Sequence, residues 1–210
     1  MLFCIKDTNR YLCGMRNAQA TKNTIINESA NLFNTQGYKA TSISDITKAT
    51  GLTKGAIYRH FENKGDLEKH ALQRLSKVMF SEIGTTIKEA KTFTSKMEAI
   101  FSFFENYMST PLYEGGCPVM NAAVEADDAN PVLREQACAM LQQFKDAVST
   151  LIKNGIKNNQ VKPDTHVAFY STIFIATLEG GIMMSRLERD KKAITHTIAH
   201  LRNIVTEISI

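Results

Sequence analysis

The sequence predicts an all-α fold, with a small unit of three short helices ahead of a larger helical domain. Three observations carry this. Apolar residues recur at spacings of three and four along most of the 210-residue chain, and no stretch alternates with period two. Proline is scarce, at four residues, while Leu, Ile, Ala and Lys are frequent, a composition that suits helices. Glycines such as Gly37 and Gly51 fall just after periodic segments, where helices stop.

In chain order, "TKNTIINESANLFNTQGY" places Ile25, Ile26, Ser29, Leu32 and Phe33 on one helical face, with Gly37 closing it. Ser42 and Asp45 form a capping box for a short helix carrying Ile43, Ile46 and Ala49, which Gly51 ends. Thr53 caps a third helix that stops near His60, and Leu52 with Ile57 makes a hydrophobic staple across its start. Asn63, with Asp66 behind it, opens a helix whose apolar face is Leu67, Ala71, Leu75 and Val78. Further helices are predicted over 95–109, 118–126, 131–157, 165–187 and 190–207, with Pro131 at a first-turn position.

Two short helices joined by a turn containing Gly make a helix-turn-helix unit. Gly51 supplies the left-handed backbone for the sharp turn. The second helix has a free face on which Lys54 and Tyr58, four apart, project together, and Gly55 beside them allows close approach of the backbone. Such a helix fits a DNA major groove. Thr41, Ser42, Thr53, Tyr58, His60 and Lys64 are the expected phosphate-facing and capping residues around it. Charge agrees: residues 1–70 hold ten Lys and Arg against six Asp and Glu, while the remainder holds fifteen of each. The whole net charge of +4 sits on the first third of the chain, which points to an anionic partner for that part.

The stretch "FNTQGYKATSISDITKATGLTKGAIYRHFENKGDL", residues 33–67, closely resembles the DNA-binding domain of the TetR family of transcriptional regulators. The pieces that carry it are F-x-x-x-G-Y-x-x-T-S, D-I, G-L-T-K-G, I-Y-R-H-F and the Lys64 region. Two positions depart from the usual pattern: Thr47, where Ala is common, and Gly65, where Glu is common. The resemblance implies a homodimer on palindromic operator DNA, released when a small apolar or electrophilic ligand occupies the C-terminal domain. It also implies a repressor; the polar N-terminus after Ile5 and the lack of a long apolar run place the chain in the cytoplasm as an expectation, and no cofactor is expected. It divides the chain into an N-terminal extension over 1–16, expected to be disordered or weakly packed with Met15 as an alternative start, a DNA-binding domain over 17–63, and a ligand-binding and dimerisation domain over 64–210.

Within that last domain, residues 165–187 are too apolar to face water, and with 190–207 they resemble the family's dimer helices. Ile173, Thr177, Ile194, Ile198 and Leu201 are the expected interface, and the helix-weakening pair Gly180 and Gly181 signals close approach of another helix. The expected pocket lining is Phe101, Phe104, Tyr107, Met120, Phe144, Phe169, Tyr170 and Met183, with Asn121 and Glu125 as its polar groups. Cys117 follows two glycines at a helix start, where a thiol can become a reactive thiolate. That segment is similar to one of a TetR subgroup with electrophile-sensing members, and an inert buried thiol is the competing reading.

No uninterrupted run of eighteen apolar residues occurs, so no membrane span is predicted. The four cysteines lack zinc or C-x-x-C spacing and are expected as thiols. His196 and His200 lie four apart without a third ligand type nearby, so no metal is expected. Motifs for nucleotide binding or serine hydrolysis are missing, which disfavours an enzyme. The alternatives left are a structural DNA-binding protein without a ligand, which would lack an apolar cavity, and a helical enzyme, which would gather catalytic groups in one.

Overall fold

A computed structural model describes residues 6–107, 109–126 and 130–210, with side chains from Ala18 onward. The described residues form α1 (Lys6–Gln36), α2 (Ile43–Thr50), α3 (Lys54–Tyr58), α4 (Lys64–Lys88), α5 (Phe93–Tyr107), α6 (Pro118–Ala126), α7 (Pro131–Lys157), α8 (Val167–Glu188) and α9 (Lys192–Ile208). The helical backbone reaches back to Lys6, so residues 6–16 of the expected extension continue α1. Residues 1–5, and the side chains of Cys4 and Cys13, lie outside the described part. Cys117 and Cys138 are free thiols.

The head, α1 to α3 with the start of α4, closes on its own small core. Ile25, Phe33, Ile46, Ile57 and Leu67 are fully buried there, and Phe33 stacks on Tyr38 with ring centroids 5.1 Å apart. Its joints follow the local signals. Ser42 accepts from the Asp45 N–H at 3.2 Å while Asp45 accepts from the Ser42 N–H at 2.9 Å. Gly51 sits at φ 68°, the left-handed cap of α2. Thr53 accepts from the Ala56 N–H and starts α3. Ala49, expected on the apolar stripe of α2, is exposed.

The body is a helical bundle in which α8 packs on α7 and α9, and α5 packs on α4 and α9. Phe93, Met97, Phe101, Phe174, Ile182 and Leu201 form its centre. Gly181 is there for packing: a Cβ would meet Thr197 Oγ1 at 2.6 Å, so α8 and α9 approach closely within one protomer. Gly180 faces open space.

By length and composition α8 could cross a membrane, with a mean hydropathy of 1.5 over its most apolar window, although the sequence reading found no such segment. The difference has a physical reason. One side of α8 (Phe174, Ile175, Leu178, Ile182) enters the core, while the other (Phe169, Met183, Met184, Leu187) is apolar yet exposed. Both faces therefore read as hydrophobic.

Candidate nucleic-acid interface and ligand cavity

The outward surface of α3 presents Lys54, Gly55, Tyr58 and Arg59, all exposed, with His60 half-buried beside them. Tyr58 is 42% exposed although it is a large aromatic, and a Cβ on Gly55 would meet nothing within 4 Å. Ser42, exposed at the start of α2, lies on the same unit, as does the exposed cap Thr53. Arg59 joins the set although the sequence reading left it out; its place after the Lys54–Tyr58 pair was the available signal.

Two expected phosphate contacts are corrected. Thr41 is fully buried and its hydroxyl donates to the Gly37 carbonyl at 2.7 Å, so it fastens the α1–α2 turn. The Lys64 ammonium donates to the Tyr38 carbonyl and lies 3.4 Å from Glu68 Oε1, so its charge is spent inside the head.

The turn after α1 is also gripped by the body. Glu125 on α6 accepts the Tyr38 N–H at 2.9 Å and the Lys39 N–H at 2.8 Å through its two oxygens. Asn121, one turn earlier, donates to the Asn34 carbonyl, to Asn34 Oδ1 and to the Gly115 carbonyl, all within 3.1 Å. Asn34 in turn donates to the carbonyls of Glu114 and Gly116. Gly115, at φ 92°, fits only because it has no side chain: a Cβ would lie 2.1 Å from the Asn34 carbonyl oxygen. Asn121 and Glu125 are therefore not pocket groups. They build the head–body junction.

A cavity of about 370 Å³ lies in the body among α4, α5, α7 and α8. Of the expected lining, Phe104 and Phe144 are there. Other lining residues include Phe80, Ile83 and Ile87 from α4, Asp146, Val148 and Leu151 from α7, and Ile175, Leu178 and Glu179 from α8, none of them foreseen. The one acidic residue inside the apolar run 173–184 was the signal for Glu179. Phe101 packs on Phe174 instead, with ring centroids 6.2 Å apart, and the Tyr107 hydroxyl donates to the Gly116 carbonyl. Met120 is half-buried on α6, away from the lining, and Tyr170 lines a separate cleft with His166 and Lys162. Phe169 and Met183 are 53% and 49% exposed on the outer face of α8, which removes them from the cavity. A larger groove of about 860 Å³ between α4 and α7 has Leu72, Phe80 and Met140 in its wall together with exposed polar chains such as Gln73 and Lys77.

Cys117 reaches the cavity wall indirectly. It is buried, and its thiol donates to Glu179 Oε1 at 3.0 Å. Burial, and then the neighbouring Glu179 charge, push its pKa well above the usual thiol value, against the lowering effect of the α6 backbone N–H groups. Of the two readings of Cys117, the buried neutral donor fits this setting better than the reactive thiolate. Burial likewise raises the Glu179 carboxyl, opposed by the Cys117 hydrogen bond. Glu179 Oε2 is buried with no hydrogen-bond partner among the described residues.

The dimer expectation divides. Ile194, Ile198 and Leu201 are fully buried inside the protomer and offer nothing to a partner, because the inner face of α9 packs on α8 and α5. Ile173 and Thr177 are partly exposed, beside the apolar stripe of α8.

A helix-turn-helix head joined by one helix to an all-helical body with its own cavity defines a transcriptional regulator that senses and binds within a single chain. The comparisons agree. The model of the bacterial regulatory proteins of the tetR family matches residues 25–71, and that of the tetracyclin repressor-like C-terminal domain matches residues 94–201. A TetR transcriptional regulator from Chloroflexus aurantiacus is 34% identical, with a TM-score of 0.87 over 92% of this chain and 98% of that one. A TetR-family regulator from Cytophaga hutchinsonii is 30% identical, with a TM-score of 0.86 over 92% and 97%. The transcriptional repressor DhaR of Mycobacterium sp. (strain GP1) is 23% identical over 81% of this chain and 84% of its own. This chain belongs to the TetR family of transcriptional regulators. Members of that family bind operator DNA, form dimers and respond to small molecules.

Proposed function

We propose that the protein is a cytoplasmic repressor whose dimer holds a palindromic operator and lets go when a small molecule fills the body cavity. The observation that carries this reading is α4. Its first residues, Lys64 and Leu67, belong to the head, and its last turns supply Phe80, Ile83 and Ile87 to the cavity wall. The helix is unbroken over 25 residues, so a side chain displaced in the cavity moves the helix that seats the reading unit. The α6 junction gives a second tie through Asn121 and Glu125.

Two recognition helices must meet half-sites about 34 Å apart, so a modest change of spacing loses one of them. The ligand must bind the released state more tightly than the DNA-bound one, because contact alone shifts nothing. The presence of an apolar cavity favours this reading over a structural DNA-binding protein. Its described lining has two carboxylates, Glu179 and Asp146, but no Ser, Cys, His or Lys to pair with them as nucleophile or proton shuttle, which favours the same reading over an enzyme. Dimerisation is assigned to the outer stripe of α8, Phe169, Ile173, Met183, Met184 and Leu187.

The test is selection of a binding site from randomised duplex DNA with the full-length protein. A two-fold symmetric site is expected. Lys54→Ala and Tyr58→Ala should each weaken binding to it roughly tenfold without changing the dimer or its melting, and loss of a phosphate contact should lower the salt slope by about one. Unchanged affinity in both variants across salt concentrations would remove the assignment.

A further inference from the structure

The cavity lining is chemically one-sided. Phe80, Phe104 and Phe144 supply aromatic rings, Ile175 and Leu178 add aliphatic wall, and the charged residues are Glu179 inside and Asp146, exposed, at the rim. No Lys, Arg or His is among the described lining residues. Glu179 is held by one oxygen only: Oε1 takes the Cys117 thiol hydrogen, while Oε2 is buried without a partner among the described residues. A buried acceptor left unpaired is costly, and the cost vanishes when a donor arrives.

Resting on the ligand-responsive reading above, we infer that the cavity takes a lipophilic organic cation, an apolar body with a protonated amine, whose N–H donates to Glu179 Oε2 among the rings of Phe80, Phe104 and Phe144. A protonated amine satisfies the orphan oxygen and neutralises the carboxylate in one contact. Aromatic rings in the wall suit the same cation. Asp146 at the rim, itself accepting from Gln142 at 2.9 Å, adds negative potential along the way in. An anionic ligand would meet two carboxylates and no counter-charge. The volume of about 370 Å³ lies at the small end of ligand sites, which limits the body to about one aromatic ring with a short chain. Engagement of Glu179 also touches the thiol that opens α6, next to Gly116, whose carbonyl Asn34 and Tyr107 both hold. The binding group is therefore two hydrogen bonds from the head.

Three matched probes separate the possibilities by calorimetric titration of the full-length dimer: 4-phenylbutylamine, 4-phenylbutanol and 4-phenylbutanoate. The amine should bind at least tenfold more tightly than the alcohol, with the carboxylate weakest. Glu179→Gln should bring amine and alcohol together, and Glu179→Asp, which keeps the charge, should retain the ranking. An alcohol or carboxylate that binds as well as the amine, no amine binding at millimolar concentration, or a preference that survives Glu179→Gln would overturn the inference. The wild-type ranking decides even if a variant fails to fold. Release from the selected DNA site is measured separately. Amine binding without release leaves the ligand class standing and removes the ligand-responsive reading. Release by a compound indifferent to Glu179→Gln does the reverse.

Discussion

The junction and the cavity treat their carboxylates in opposite ways. At the junction Glu125 has both oxygens taken by backbone N–H groups, and Glu68 has one on the Asn130 amide and one facing Lys64. In the cavity Glu179 has one oxygen on a thiol and the other without a partner among the described residues. A fully satisfied polar network fixes geometry, whereas an unsatisfied one stores unfavourable energy that a partner can release. The junction is built to transmit and the cavity to receive.

Substitutions can break this contrast, and the largest effect is expected at the junction glycine. Gly115→Ala forces a side chain onto a left-handed residue and against the Asn34 carbonyl. Strain and overpacking together should cost roughly 3 kcal/mol in chemical denaturation of the dimer. A loss below about 0.5 kcal/mol would show that the loop yields freely and that the junction is not stiff.

Next comes Glu125→Ala, which strands the Tyr38 and Lys39 N–H groups. Because Lys39 is exposed and can turn to water, the expected cost is about 1–2 kcal/mol. The same variant should reduce the DNA release produced by any cavity ligand while leaving ligand affinity unchanged. Full release would show that α4 alone carries the signal.

The smallest change should have the opposite sign. Glu179→Leu removes a buried carboxylate from an apolar wall and should be neutral or stabilising by about 1 kcal/mol at neutral pH. Linkage gives a second measurement. Burial raises the Glu179 carboxyl in the folded state, so the folded protein holds this proton more tightly than the unfolded chain. Its contribution to stability is present below the unfolded carboxyl value and declines as pH rises through the folded one. Glu179→Gln should remove that part of the decline. A stability profile identical to wild type from pH 4 to 8 would place Glu179 in a wetter setting than the cavity suggests.

Legibility followed the reach of the signals. The head was readable because its determinants are local: the Ser42–Asp45 box spans three residues, Gly51 caps α2 by its own conformation, and Thr53 caps α3 directly. Even there, Thr41 and Lys64 were misread, since spacing shows that a group can donate but not that an internal carbonyl already takes it. In the body, Asn121 and Glu125 looked like pocket groups because their partners lie 86 and 87 residues away in the head. Apolar periodicity identified α8 and α9 as sticky but could not say which face meets the protomer and which a second copy. Ile194, Ile198 and Leu201 therefore went to the wrong side, and Phe169 and Met183 went to the cavity. Glu179 was visible only as an anomaly, a charge where the pattern called for none.

Continuity of α4 has a mechanical consequence. From Lys64 to Ile83 the helix advances by nineteen rises, roughly 28 Å at 1.5 Å per residue. As a lever pivoting at its cavity end, a tilt of about 5° displaces the head by roughly 2.5 Å, and two protomers tilting oppositely double that. Gly84 lies just beyond this arm, exposed, with open space where a side chain would be. A helix is softest at such a residue. The compliant point thus lies within the cavity-lining turns, between Ile83 and Ile87, while the arm ahead of it is free of glycine as far as Gly65, so a push delivered at Phe80 or Ile83 travels toward the DNA without crossing it.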